Sequence, residues 1–104
     1  MGKRVLVVED CHPLADRVAL LVESLGHQAR IACDGPAALV VADHFHPELV
    51  LLHHTVPDMD GCPVVTALGR LLGPHVGIIP IAGTEEPSQL AAQALVERMD
   101  GRRL

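Results

Sequence analysis

Three continuous aliphatic runs, VLVV at residues 5–8, LVLL at 49–52 and GIIPIA at 77–82, restrict the folds open to this chain. A strand with one wet face alternates apolar and polar residues. A run that is apolar throughout reads as a strand covered on both faces, the situation in parallel sheets packed between helices. The segments between the runs carry helical spacing. Pro13 suits the first turn of a helix, where its missing N–H costs nothing. Leu14, Val18, Leu21, Val22 and Leu25 follow on one face, and Gly26 is placed to end that helix. Residues 28–33 form a weaker second strand. Asp34 is a natural N-cap for the next helix, with Gly35 and Pro36 in its first turn, Ala38, Val41, Ala42 and Phe45 as its buried stripe, and His46 with Pro47 as its stop. A third helix is predicted over 63–72, with Val64, Leu68 and Leu71 on one face. A fourth opens at Glu85, Glu86 and Pro87, where acids suit the helix dipole, and turns Leu90 and Ala94 inward. Four strand–helix units in strict alternation predict an α/β doubly wound parallel sheet forming one domain over 1–104.

Right-handed crossovers bring the C-terminal ends of parallel strands to one edge, and sites in such folds lie in the crevice beyond it. Three sets of residues should meet there: Glu9 and Asp10 after the first strand, His53 and His54 after the third, Gly83 and Thr84 after the fourth. Adjacent carboxylates beside a buried strand are costly without a cation, and a hard divalent ion with oxygen ligands is the usual remedy. The alternative is that both acids lie in a solvated loop.

Composition removes several other functions. The chain's 104 residues are one domain's worth and leave no room for a separate output module. The net charge of −5, with Phe45 as the only aromatic of the Phe, Tyr and Trp class, argues against nucleic acid as a direct partner. Arg102 and Arg103 read as a solubilising tail. Cys11, Cys33 and Cys62 are odd in number and widely spaced, which speaks against a disulfide framework or zinc ribbon. No stretch approaches bilayer-spanning length and the opening is too short for a signal-peptide core, so a cytoplasmic protein without a membrane partner is expected.

The motifs resemble a known family. VLVVED (5–10) with the helix ending at Leu25 and Gly26, CDGPAAL (33–39), HPELVLL (46–52) and above all LVLLHHTVPDMDG (49–61) look like a response-regulator receiver domain of two-component signalling. The likeness runs from about residue 3 to 84. It implies a flavodoxin-like receiver fold, shortened here to four strand–helix units, with strand order 2-1-3-4. It further implies that Glu9, Asp10 and the backbone carbonyl of Thr55 hold Mg²⁺ and that an aspartate ending the third strand accepts a phosphoryl group. A Thr or Ser after the fourth strand and a Lys after the fifth would contact the phosphate. The implied partners are a histidine kinase, a phosphotransfer protein or another regulator.

The sequence departs from that pattern at the reacting atoms. Counting back from Pro57 puts His53 where the family has its phosphoacceptor aspartate. Gly83 falls at the hydroxyl position with Thr84 one residue late, and Lys3 is the only lysine, so the phosphate-clamping lysine is missing. Imidazole is a poor ligand for an octahedral, oxygen-seeking ion. Losing nucleophile and metal ligand together should abolish phosphoryl transfer, leaving no catalytic residue, a weak Mg²⁺ site at most, and a pseudo-receiver that signals by protein–protein contact. The alternative is a metal-responsive binding protein in which His53 with Glu9 and Asp10 takes Zn²⁺. Of the seven histidines, His12, His53 and His54 could lie near the acids, but neighbours on a strand face opposite ways. The plainer reading has His53 filling the pocket and hydrogen-bonding Asp10 or Glu9. His27, His44, His46 and His75 read as surface residues, Asp58 and Asp60 as loop carboxylates without metal geometry, and Cys11 as an inert small side chain. Residues 85–99 resemble either the family's fourth helix or, the favoured reading, its last helix with one unit deleted. On either reading the fourth strand is an apolar edge that invites a homodimer, limited by Pro80.

Overall fold

A computed structural model describes residues 2–10, 12–53, 56–59 and 61–81. Four strands and three helices alternate along it: β1 (Arg4–Val8), α1 (His12–Ser24), β2 (Gln28–Ala32), α2 (Gly35–Phe45), β3 (Leu49–His53), α3 (Val64–Leu72) and β4 (Gly77–Ile81). The sheet order is β2-β1-β3-β4, every pairing parallel, as the aliphatic runs require. The expected fourth helix, Gly83, Thr84, Arg102 and Arg103 lie outside the described residues, as do Cys11, His54, Thr55 and Asp60.

β1 and β3 have two dry faces because each is apolar at both parities, whereas β2, at the sheet's edge, exposes Gln28 and Arg30. On one face Val5, Val7, Ala29, Leu49 and Leu51 pack with Val18, Ala19 and Val22 of α1. On the other, Leu6, Val8, Ala32 and Val50 meet Ala38 and Ala42 of α2 and Val64 and Leu68 of α3. Burying such side chains on both faces supplies most of the driving force in a chain this small.

The buried stripes differ from the predicted ones in detail. In α1 the buried residues are Ala15, Val18, Ala19 and Val22, whereas Leu14 and Leu21 are only half-buried. The stripe keeps the helical i, i+3, i+4, i+7 spacing but centres on small residues, which let the helix settle close to the sheet. In α2 the buried positions are Gly35, Ala38 and Ala42, with Val41 and Phe45 half-covered at the flanks. Arg30 lies over the Phe45 ring, 4.9 Å from its centroid, so that flank is a cation–π contact. Leu71, expected to share the inward face of α3, is 43% exposed, whereas Val64 and Leu68 are buried against the sheet.

The helix ends follow local chemistry. Asp34 caps α2, its Oδ1 accepting from the Ala37 N–H at 2.8 Å. Its C-terminus closes through His46 in a left-handed conformation (φ 53°), the His46 N–H donating to the Ala42 carbonyl. The stop is thus a left-handed cap, where Pro47 alone predicts only an extended residue. Gly26, at φ +94°, ends the turn after α1 as its placement predicts.

Leu6→Ala should cost about 2–5 kcal/mol by leaving a cavity beneath α2, and Asp34→Ala about 1 kcal/mol. Urea unfolding of both variants should reproduce that order; a larger loss at Asp34 than at Leu6 would contradict the two-faced core.

Candidate functional site

The register of the sheet builds the site. Val8 of β1 is level with Ala32 of β2 and with Leu52 of β3. One step further along each parallel strand stand Glu9, Cys33 and His53, so three potential ligands emerge in one row at the C-terminal edge. β3 runs one residue longer than predicted, and His53 remains in the sheet opposite Ile81. Glu9 is likewise held by the sheet, its N–H donating to the Ala32 carbonyl at 3.0 Å. Both side chains are therefore set by backbone pairing rather than by a loop.

Glu9 and His53 are the buried polar side chains at this edge, 3% and 6% exposed. The His53 Nδ1 lies 3.4 Å from Glu9 Oε1. Of the two expected partners for His53, the structure selects Glu9 for this contact, while Asp10 is solvent-exposed. A buried carboxylate is costly unless a donor or cation faces it, and the imidazole nitrogen is positioned for that role. One potential ligand atom from each of Glu9, Asp10 and His53 lies within 4.8 Å of the others. Of the residues expected to meet at this edge, Glu9, Asp10 and His53 do so, while His54, Gly83 and Thr84 lie outside the described residues.

The turn after β3 is tight. The Val56 N–H donates to the His53 carbonyl at 3.2 Å, bringing the chain back immediately beyond the strand. Further on, Met59 and Cys62 exchange both backbone hydrogen bonds (2.8 and 2.7 Å), and Gly61, at φ +80°, supplies the left-handed residue this turn needs. Met59 and Cys62 thus form an isolated antiparallel bridge. Asp58, just before it, is exposed to solvent, as expected of a loop carboxylate.

His12 is drawn into a different contact from the one anticipated. At the start of α1 it is exposed, and its ring nitrogens lie 3.6 and 3.7 Å from the Sγ of Cys33. The Cys33 thiol, which cysteine spacing alone does not single out, follows β2 in the same row as Glu9 and His53. Strand-end position is the signal that finds it. His27 is half-buried and accepts a hydrogen bond from the Lys3 backbone N–H at Nδ1 (2.9 Å), so it is tied to the chain's start rather than free on the surface. His44, His46 and His75 are exposed as expected.

The donor set does not suit Mg²⁺. That ion requires oxygen ligands in near-ideal octahedral geometry, whereas the side chains clustered here among the described residues are two carboxylates and an imidazole.

No helix among the described residues is long and apolar enough to cross a membrane. Residues 5–102 match the response regulator receiver domain family. The sensory transduction protein RegX3 of Mycobacterium tuberculosis is 42% identical over 64 residues, covering 62% of this chain and 28% of that protein. The DNA-binding response regulator MtrA of Mycobacterium leprae is 34% identical over 68 residues, covering 65% of this chain and 30% of its own length. The chain thus spans less than a third of these relatives. Among solved structures, the CheY-like receiver domain of Methanospirillum hungatei superposes with a TM-score of 0.70 at 17% identity, covering 97% of this chain and 93% of that one. The receiver domain of Methylobacillus flagellatus gives 0.70 at 18%, covering 95% and 99%. At these identities the superpositions establish the fold. With the sequence match spanning nearly the whole chain, this protein belongs to the response regulator receiver domain family of two-component signalling.

Proposed function

We propose that this receiver domain works without accepting a phosphoryl group and acts as a protein–protein module within a two-component system. The observation that carries the reading is the buried contact between His53 and Glu9 at the end of β3. At the position where the resemblance calls for an acceptor aspartate, the chain presents an imidazole held in the sheet and turned toward an acid. Phosphoryl transfer rests on positioning and charge neutralisation around an attacking oxygen and a metal. An imidazole nitrogen at 3.4 Å from Glu9 supplies neither that oxygen nor an octahedral ligand. The contact fixes the pocket in one state, and the partners are a histidine kinase, a phosphotransfer protein or another regulator that reads that state.

A homodimer is part of the same proposal. Among the described residues β4 pairs with β3 alone, and it belongs to an apolar run with Pro80 at a ladder position where it donates no hydrogen bond. Beside it, α3 exposes Val65 (46%) and Leu71 (43%). Association through this edge or the adjoining helix face would cover those side chains.

Incubation with acetyl phosphate and Mg²⁺ should give no acid-labile adduct by mass spectrometry; a stoichiometric one would overturn the reading. His53→Leu should cost about 2 kcal/mol, since it leaves the Glu9 carboxylate buried without its imidazole. The double variant His53→Leu/Glu9→Leu should be less destabilised than the sum of the singles, and strict additivity in urea unfolding would mean that the pair is not coupled. Sedimentation at tens of micromolar should show a dimer that dissociates on dilution, and monomer alone would refute the association.

A further inference from the structure

The separation between His53 and Glu9 fits more than a contact between two side chains. At 3.4 Å, Nδ1 and Oε1 are farther apart than a strong charge-assisted hydrogen bond, which closes to about 2.7–2.9 Å. Yet 3.4 Å is close to the distance between two ligands of one tetrahedral metal ion. With metal–nitrogen and metal–oxygen bonds of about 2.0–2.1 Å, the tetrahedral edge is about 3.3–3.4 Å. The corresponding edge of an octahedral magnesium site, with bonds of about 2.0–2.1 Å, is about 2.8–3.0 Å. His53 is held in β3 opposite Ile81, and the Glu9 N–H is tied to the Ala32 carbonyl of β2, so the sheet holds the backbone of both residues.

We propose that Glu9, Asp10 and His53 form a binding site for a first-row divalent transition-metal ion, of which Zn²⁺ is the natural probe. The third ligand is the Asp10 carboxylate, whose ligand atom lies within 4.8 Å of the other two. Asp10 is exposed while Glu9 and His53 are buried, so the ion enters from the solvent side and Asp10 closes over it. Two carboxylates and one imidazole make a neutral-to-hard donor set that zinc and its neighbours accept, leaving a fourth position for water or a partner's side chain. The two carboxylates would neutralise the ion's charge, which answers the cost of burying Glu9. The inference rests on the preceding reading of His53 as a fixed pocket residue rather than a phosphoryl acceptor. It adds a regulator to that reading, since an ion bridging the ends of β1 and β3 would alter the edge that partners meet.

Titration calorimetry of the full chain with zinc chloride should give one site with a dissociation constant below about 1 µM, and magnesium chloride should show no comparable binding. His53→Ala and Asp10→Asn should each weaken zinc binding by about tenfold or more; Asp10 is exposed, so that variant keeps the fold even where His53→Ala does not. In the unaltered protein, zinc should shift the His53 Nδ1 resonance in long-range proton–nitrogen spectra, and cobalt(II) should give the intense visible bands of a tetrahedral site. Affinity weaker than about 10 µM, an octahedral cobalt spectrum, or an unmoved His53 resonance would each overturn the proposal. So would binding that survives Asp10→Asn and is lost in Cys33→Ala, which would place the ion on the His12 and Cys33 pair. Failure here leaves the acetyl phosphate result standing, and a phosphoryl adduct would sink the earlier reading without touching the zinc isotherm.

Discussion

The parallel register between β1 and β3 is the constraint on which the rest depends. Because Val8 is level with Leu52, the residues that follow each strand are forced side by side at the same edge, whatever their chemistry. In a covered parallel sheet that edge is where the interior gives way to solvent, so a side chain there is shielded by the core yet within reach of a ligand. Glu9 and His53 fall on that boundary, buried, and 3.4 Å apart. Neither residue would be informative in a loop. Held by the ladder, each sets the other's surroundings.

That placement turns one residue type into a question of chemistry. A carboxylate at the end of β3 beside Glu9 and Asp10 would create a cluster of three negative charges that only a hard cation could hold together. Imidazole reverses the local balance. It can face Glu9 as a donor, which offsets the burial of that carboxylate, or as a nitrogen ligand, which makes the pocket selective for ions other than magnesium. The proposed function draws on the first capacity and the proposed metal site on the second. They share one geometry and differ in what lies between Nδ1 and Oε1.

The surroundings show how closely the helices serve the edge. Small residues on α1 and α2 allow both to lie against the sheet, and the left-handed cap at His46 turns the chain into β3 without a long loop. Arg4 reinforces that junction, its Nε donating to the His46 carbonyl at 2.8 Å. On α3 the same economy leaves Val65 and Leu71 outside, 46% and 43% exposed. The core and the surface patch arise from one fact: nine helical residues cannot all face a sheet that two of them, Val64 and Leu68, already close.

The order of the strands followed from the resemblance to the receiver family; the sequence by itself determined the element order, the parallel sheet and the identities of the acids and histidine at its edge. It could do so because a strand that is apolar at every position leaves few alternatives, and because Asp34, Gly26 and Pro13 mark helix ends by local chemistry. It did not determine which carboxylate His53 meets, that Cys33 stands beside His12, or that Leu71 and not Ala19 lies outside. Those depend on the register between strands and on how far each helix rolls against the sheet. Both are set by contacts between residues distant in sequence, where a half-turn of helix or a single ladder step exchanges one neighbour for another. Local pattern fixes what each segment becomes, whereas the packing of segments decides which atoms come within bonding distance.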